Sequence, residues 1–422
     1  CRQGDGSRFT PGPIPLAVGG ADFRQVHAGV HEVSWSCEGR LNDGMSKVTL
    51  REARFDEPDL KGIWEIQRRL LARPQSWSLA DFVRMCRHRW LNNPARASEH
   101  VFGWVLDSPA EGIVGFVGLV PVRMKIGTTD IVGACGSGFS VLPAHRAYSL
   151  SLYKQIMDWG SRHFLVMTTA NQIASRLNQR MGMSKIPIMN FNRYLSWPIR
   201  PEVHIQWKLD NSAWRTWSSL GARAPFAWLL KAAARARYAG HRRLRFPGVL
   251  MPVEPVKAFT EEFTQFWDEH KRAYGITTVR DRAFLQWRHL EMPPSSGTPH
   301  VFACRDNGRV RGYLAMMELN PQEGVCPPGR FRVTDVFYDR SRPDVVHSLL
   351  NHAFESAKAR GCSMFEVLSV SRELADSLQA QRPYVTQAES WSYWYKTSRE
   401  DVAELCRTEP WWPSGVDGDN YL

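Results

Sequence analysis

The stretch from Phe139 to Met183, FSVLPAHRAYSLSLYKQIMDWGSRHFLVMTTANQIASRLNQRMGM, constrains the fold more than any other part of the chain. Phe139, Val141 and Leu142 form a short β-type run that ends at Pro143, which has no N–H to donate to a ladder. His145 and Arg146 follow in a loop. Leu150, Leu152, Tyr153, Ile156 and Trp159 then recur at helical spacing, with Ser149 placed as the cap. Phe164 to Thr168 is a second apolar run, so the whole is a strand–helix–strand unit. A further helix starts near Asn171 and stops at Gly182, a residue suited to ending helices. The chemistry belongs at the first strand-to-helix junction, where free N–H groups and the helix dipole attract phosphate.

Those residues carry a family resemblance. VLPAHRAYSLSL resembles the acyl-CoA-binding loop of the GNAT superfamily of N-acetyltransferases: a strand ending Val-x-Pro, then Arg/Gln-x-x-Gly-x-Gly/Ala, then a helix. Val141, Pro143 and Arg146 match, while Ser149 and Ser151 stand where the pattern has small glycine-type residues. NQIASRLNQRMGM is similar to the family's second helix, with Asn171, Ala174 and Gly182 matching. Asn178 replaces a tyrosine that often serves as general acid. The alternative on the residues alone is an ordinary strand–helix–strand crossover without a ligand.

A chain of 422 residues is long enough for two cores. No apolar run reaches the ~18–20 residues that cross a bilayer. The net charge of +12 favours an anionic partner: cofactor phosphates, nucleic acid or a lipid surface. The eight cysteines are scattered without a Cys-x-x-Cys pair, which argues against a zinc ribbon and a disulfide scaffold and fits a reducing cytoplasm.

Residues 1–44 are rich in Gly, Pro and polar residues without a sustained period and read as a disordered leader. Met45 reads as a domain's natural start. His27, His31 and Cys37 have a ligand-like spacing on a poor helix candidate, so no metal site is expected. From Val48 come a strand, two helices (60–71 and 79–90), and β-rich segments with turns at 109–112 and 127–130. They lead through Gly133, Gly136 and Gly138 into the loop. Those glycines precede no helix start, so strand bulges or close packing account for them, not a dinucleotide fingerprint. Residues 211–253 hold no acidic residue but many arginines, Arg235 and Arg237 among them. This connector reads as partly helical and basic. It is either a solvated helix or an amphipathic contact with an anionic membrane or substrate. From Val256 the element order repeats, with a hairpin at Asn307–Gly308. FLQWRH is similar to a segment of tandem GNAT-like proteins. The junction DRSRPDVV lacks a glycine loop, so this half is not expected to bind CoA. The tail WWPSGVDGDNYL suggests a turn at Asp417.

The expected class is α+β: two GNAT-like domains, each a central, mostly antiparallel twisted sheet flanked by helices, at residues 45–198 and 256–398. A connector at 199–255 joins them and a tail at 399–422 follows. The resemblance implies an acyltransferase that moves an acetyl or other acyl group from acyl-CoA to an amine, with no metal. It implies cofactor contacts from Val141, Leu142, His145, Arg146, Ala147, Tyr148, Ser149, Leu150, Ser151 and Asn171. No base is identified. Cys135, His145, Tyr148 and Asn178 are the catalytic candidates, each also readable as structural. Glu318 and Asp335 of the second half would reach the cleft if the halves face each other. The expected acceptor is a small-molecule or saccharide amine, with nucleic acid disfavoured and the oligomeric state open. The alternatives are a Fem-type transferase using charged tRNA and a catalytically decayed binding module.

Overall fold

The computed structural model describes residues 48–70, 78–187, 193–211, 223–239, 250–293, 297–321, 327–368, 372–387, 392–415 and 417–418, with Leu244 and Phe246. The leader at 1–44 and Met45 lie outside the described residues. The first half runs β1 (Thr49–Glu52), α1 (Glu57–Leu70), α2 (Leu79–Cys86), β2 (Gly103–Ser108), β3 (Gly112–Ile126) and β4 (Thr129–Val141). It continues with α3 (Ser149–Gly160), β5 (Phe164–Ala170), α4 (Gln172–Arg180), β6 (Ser184–Lys185) and β7 (Arg193–Pro198). The connector holds two helices, α5 (Pro201–Asn211) and α6 (Arg223–Arg237). The second half runs β8 (Val253–Pro255), α7 (Glu261–His270), β9 (Ile276–Thr278), α8 (Arg282–Leu285), β10 (Gly297–Asp306) and β11 (Arg309–Leu319). Then follow β12 (Arg330–Tyr338), α9 (Pro343–Ala359), β13 (Met364–Leu368), α10 (Arg372–Gln379), β14 (Tyr384–Gln387), β15 (Ser392–Lys396) and α11 (Glu400–Thr408).

These strands form two mostly antiparallel sheets, so the α+β class holds. One sheet has the order β1-β2-β3-β4-β5-β15-β6, with β9 added against β3; the other has the order β14-β7-β13-β12-β11-β10-β8. Only β4 with β5 and β12 with β13 pair in parallel among the described strands. The two orders correspond strand for strand, except that β7 and β15 are exchanged. β15 pairs with β5, and β7 sits between β13 and β14. Each half therefore completes the other half's sheet. The reason is visible in β7, where Leu195 and Trp197 are buried on one face and Tyr194 and Ser196 on the other. A strand apolar on both faces needs neighbours on both edges and cover on both sides.

One hydrophobic cluster runs through both sheets and includes Val122, Ile126, Cys135, Trp267, Phe337 and Trp412. A second fills the space under α3 with Leu152, Tyr153, Ile156, Leu165 and Met167. Helices α2 and α8 each run on into a π-helical turn, at Arg87–Leu91 and Gln286–Leu290, and these turns join the halves. The Trp287 ring stacks on His88 at 4.9 Å, and its indole N–H donates to the His88 carbonyl at 3.0 Å. The β10–β11 hairpin turns at Asn307 and Gly308, both with positive φ, which is the geometry that matches strand twist.

Candidate active site at the divergence of β4 and β5

The parallel pairing of β4 with β5 is brief. Gly133, Ala134 and Cys135 face Phe164, Leu165 and Val166, and there the pairing ends. Gly133 permits the close approach, because a Cβ there would lie 2.3 Å from the Phe164 carbonyl oxygen. Past Cys135, β4 bulges. Ser137 stands opposite Gly118 and Ser140 opposite Phe116, so two residues face Val117 alone. Gly138 supplies the positive φ of +66° that the bulge requires. These glycines are thus packing and bulge positions, as the sequence suggests. The bulge leaves Phe139 41% exposed, its ring edge-on to Tyr153.

Both strands are followed by helices, so the starts of α3 and α4 stand at the same edge of the sheet, beyond the divergence. Ligands of parallel strand pairs bind at this end. Pro143 initiates a 3-10 turn over Pro143–Tyr148, and α3 enters from it. Tyr148, not Ser149, holds the cap position; Ser149 is already helical, with φ −56° and ψ −40°. No residue of the loop has positive φ, so serines serve at 149 and 151 where glycine would otherwise be required. Asn171 caps α4 by accepting from the Ala174 N–H at 2.9 Å. At its other end Gly182, with φ +74°, closes a Schellman motif in which the Met183 N–H donates to the Asn178 carbonyl at 3.0 Å.

The proposed cofactor residues gather around this edge. Arg146, Ala147, Leu150 and Ser151 are exposed, Leu142, Tyr148 and Ser149 are half-buried, and Val141 is buried. Arg146 pairs with no carboxylate among the described residues. His145 is buried toward β3, its Nε2 2.9 Å from a Glu111 carboxylate oxygen in the β2–β3 turn. It pins the loop to that turn. Cys135 lies fully buried where the pairing ends, its Sγ 3.7 Å from Thr168 Oγ1. Asn178 is fully buried on the other face, accepting a hydrogen bond from the Tyr153 hydroxyl. Its Nδ2 has no hydrogen-bond partner among the described residues. Cys135 and Asn178 therefore belong to different cores, while the loop residues and Asn171 share one rim.

The second sheet repeats the geometry without the opening. β12 and β13 pair from Arg330 and Met364 only as far as Val333 and Val367, and β12 bulges at Thr334. Asp335, just beyond, is fully buried. It accepts from Arg280 at 3.0 Å and from the Tyr313 hydroxyl at 2.5 Å, with His289 3.6 Å away. Burial opposes its charge, but Arg280 and His289 hold the carboxyl well below the usual range. Asp335 is thus committed to an ion pair. Glu318 is on the surface, 3.3 Å from His300 Nε2. In the turn after β12, Arg340 pairs with Glu373, and Arg342 pairs with Asp344 and Asp306.

Sequence reading missed the chain's last described segment. Trp412 donates its N–H to the Ile276 carbonyl at 2.8 Å, carrying the tail across β9. Asp417 is buried and accepts from Thr278 Oγ1 at 2.6 Å, the Ser414 N–H at 2.8 Å and the Tyr393 hydroxyl at 3.0 Å. Burial raises this carboxyl above its ordinary value, against the pull of Arg280 and these donors. A Cβ on Gly418 would lie 2.6 Å from Cys135 Sγ, so the tail reaches the divergence. The expected turn exists, but inside the protein. Its partner Thr278 is 139 residues away, and no local signal encodes that.

Two sheets, each with one diverging parallel pair followed by a helix, make the GNAT fold in tandem. Among solved structures, Saccharomyces cerevisiae N-myristoyltransferase with bound myristoyl-CoA matches with a TM-score of 0.50 and 8% identity, covering 85% of each chain. A GCN5-related N-acetyltransferase from Anabaena variabilis matches at 0.52 and 12%, over 86% of this chain and 75% of that one. A probable N-acyltransferase from Enterococcus faecalis matches at 0.51 and 11%, over 83% and 72%. No family model and no curated protein matches the sequence.

Proposed function

We propose that this protein is an acyl-CoA-dependent N-acyltransferase whose donor binds at the β4–β5 divergence of the first sheet. One observation carries the reading. At the first divergence the rim exposes apolar side chains, Phe139 (41%), Leu150 (57%) and Ile173 (71%), beside an exposed Arg146 that pairs with no carboxylate among the described residues. At the second, a buried ion pair fills the same place. The structural neighbours, one holding myristoyl-CoA, support acyl-CoA as the donor.

In this reading the thioester lies along the bulged part of β4. Backbone N–H groups released from the ladder there donate to the carbonyl oxygen, and more strongly to the oxyanion that forms from it. The start of α3 and Arg146 hold the pyrophosphate charge. The acceptor, a small-molecule or saccharide amine, attacks as its free base. A C–N bond forms, the tetrahedral intermediate collapses, the C–S bond breaks, and the CoA thiolate leaves and takes up a proton. Positioning and carbonyl polarisation supply the acceleration. Such an enzyme would work in the cytoplasm, where acyl-CoA is made. The buried thiols of Cys86, Cys135, Cys304, Cys362 and Cys406, none of them in a disulfide, support that placement.

Calorimetric titration with acetyl-CoA and a long-chain acyl-CoA tests the reading. Saturable binding of either is expected. Binding of tRNA instead would turn the assignment to a Fem-type transferase, and binding of neither would leave a decayed module.

A further inference from the structure

We infer that the outer face of α6 docks the protein on an anionic lipid surface. The inner side of this helix is occupied. Ala234 is buried, Arg235 lies 3.5 Å from Glu202 of α5, and the Tyr238 ring beyond the helix end packs edge-on against Tyr384 at 5.8 Å. The outer side meets no partner among the described residues. Trp228 is 66% exposed and Leu229 57%, adjacent in sequence and on one stripe with Ala232 and Ala236. An exposed tryptophan beside an exposed leucine on one helix is an apolar face, unlike scattered single residues.

Charge selects the occupant. Lys231 flanks the stripe on one side and Arg237 on the other, and residues 211–253 contain no Asp or Glu. The neighbouring carboxylate of Glu202 already faces Arg235. A face that is apolar in the middle and cationic at both margins matches a bilayer interface. There indole settles at headgroup depth and Lys or Arg meets anionic headgroups. A nucleic acid would use the cations but leave Leu229 without a role. This inference is independent of the acyl-CoA site, since α6 packs on α5 and Tyr238, just beyond it, on Tyr384 of β14.

The test is co-sedimentation of the full chain with phosphatidylcholine vesicles, with and without phosphatidylglycerol. Retention on the anionic vesicles alone, weakening as salt rises, is expected. Trp228→Ser/Leu229→Ser should weaken it by about tenfold or more. Lys231→Ala and Arg237→Ala should each weaken it by about fivefold at low salt. Circular dichroism and acyl-CoA titration of these variants should match the parent, because the changed side chains are not in the core. Equal retention on both vesicle types, retention on neither, or full anionic retention by the double serine variant would overturn the inference. So would binding of tRNA that needs Lys231 and Arg237 but ignores Trp228 and Leu229.

Discussion

Arg146 and Arg340 occupy matching turns after β4 and β12, and their surroundings set their roles. Arg340 is spent on Glu373, whereas Arg146 stands exposed at the rim of the divergence. Arg146→Ala is therefore expected to weaken acyl-CoA binding by roughly ten- to hundredfold, the effect of losing a charge-assisted contact of ~1.5–3 kcal/mol. Ser149→Val should act likewise by crowding the first turn of α3. Calorimetry and a thermal melt check both, since neither change should lower stability, and Arg340→Ala serves as the control with unchanged binding. Asp335 shows the opposite behaviour. Asp335→Asn leaves Arg280 buried without its counter-charge, so chemical denaturation should reveal a loss of ~3–5 kcal/mol. Because the Asp335 carboxyl is depressed in the folded state, its contribution is fully present above the ordinary carboxylate value. It is lost only as pH falls well below that value.

Elements, unlike single residues, tie the two halves together. The exchange of β7 and β15 gives each sheet a central strand from the other half of the chain. A protein cut between α5 and α6 is expected to remain one complex through purification, because β7 stays in the second sheet and β15 in the first. Either fragment expressed alone should be insoluble, lacking a strand that buries residues such as Trp197. Gel filtration of the co-expressed and single fragments decides this. Within β4, Gly138→Ala places a Cβ 2.7 Å from Gln67 Nε2 at φ +66°. It should cost ~1–3 kcal/mol of stability and, if the donor lies along the bulge as proposed, reduce acyl-CoA affinity as well.

Across the whole molecule, buried histidines make stability sensitive to acid. Burial, with Arg288 and Arg89 adding to it, pushes His88 down to about 4. His204 is likewise pushed to about 4, by burial and by Lys208 and Arg330. Both are neutral when folded, so the unfolded chain takes up protons first. Stability should be full above about pH 6.5 and fall as pH drops toward 4. A melting profile over that range tests this, and His88→Phe, which keeps the stack on Trp287, should flatten part of it.

The sequence by itself determined what lies within a turn or two of each residue. The strand ending at Pro143, the helix spacing of Leu152 to Trp159, the stop at Gly182 and the hairpin at Asn307–Gly308 are local events driven by backbone sterics and apolar period. They were enough for the α+β class, the repeated element order and the strand–turn–helix junction at Pro143. Only the tertiary structure decided which sheet β7 and β15 enter, that Asp335 is locked by Arg280, and that Asp417 lies buried beside the first divergence. It also turned His145 toward Glu111 and made Ser149 part of the helix. These outcomes depend on partners such as Ser175 and Ser392, 217 residues apart. Burial of both faces of a strand and neutralisation of a buried charge are satisfied by the assembled protein, not by any stretch of it.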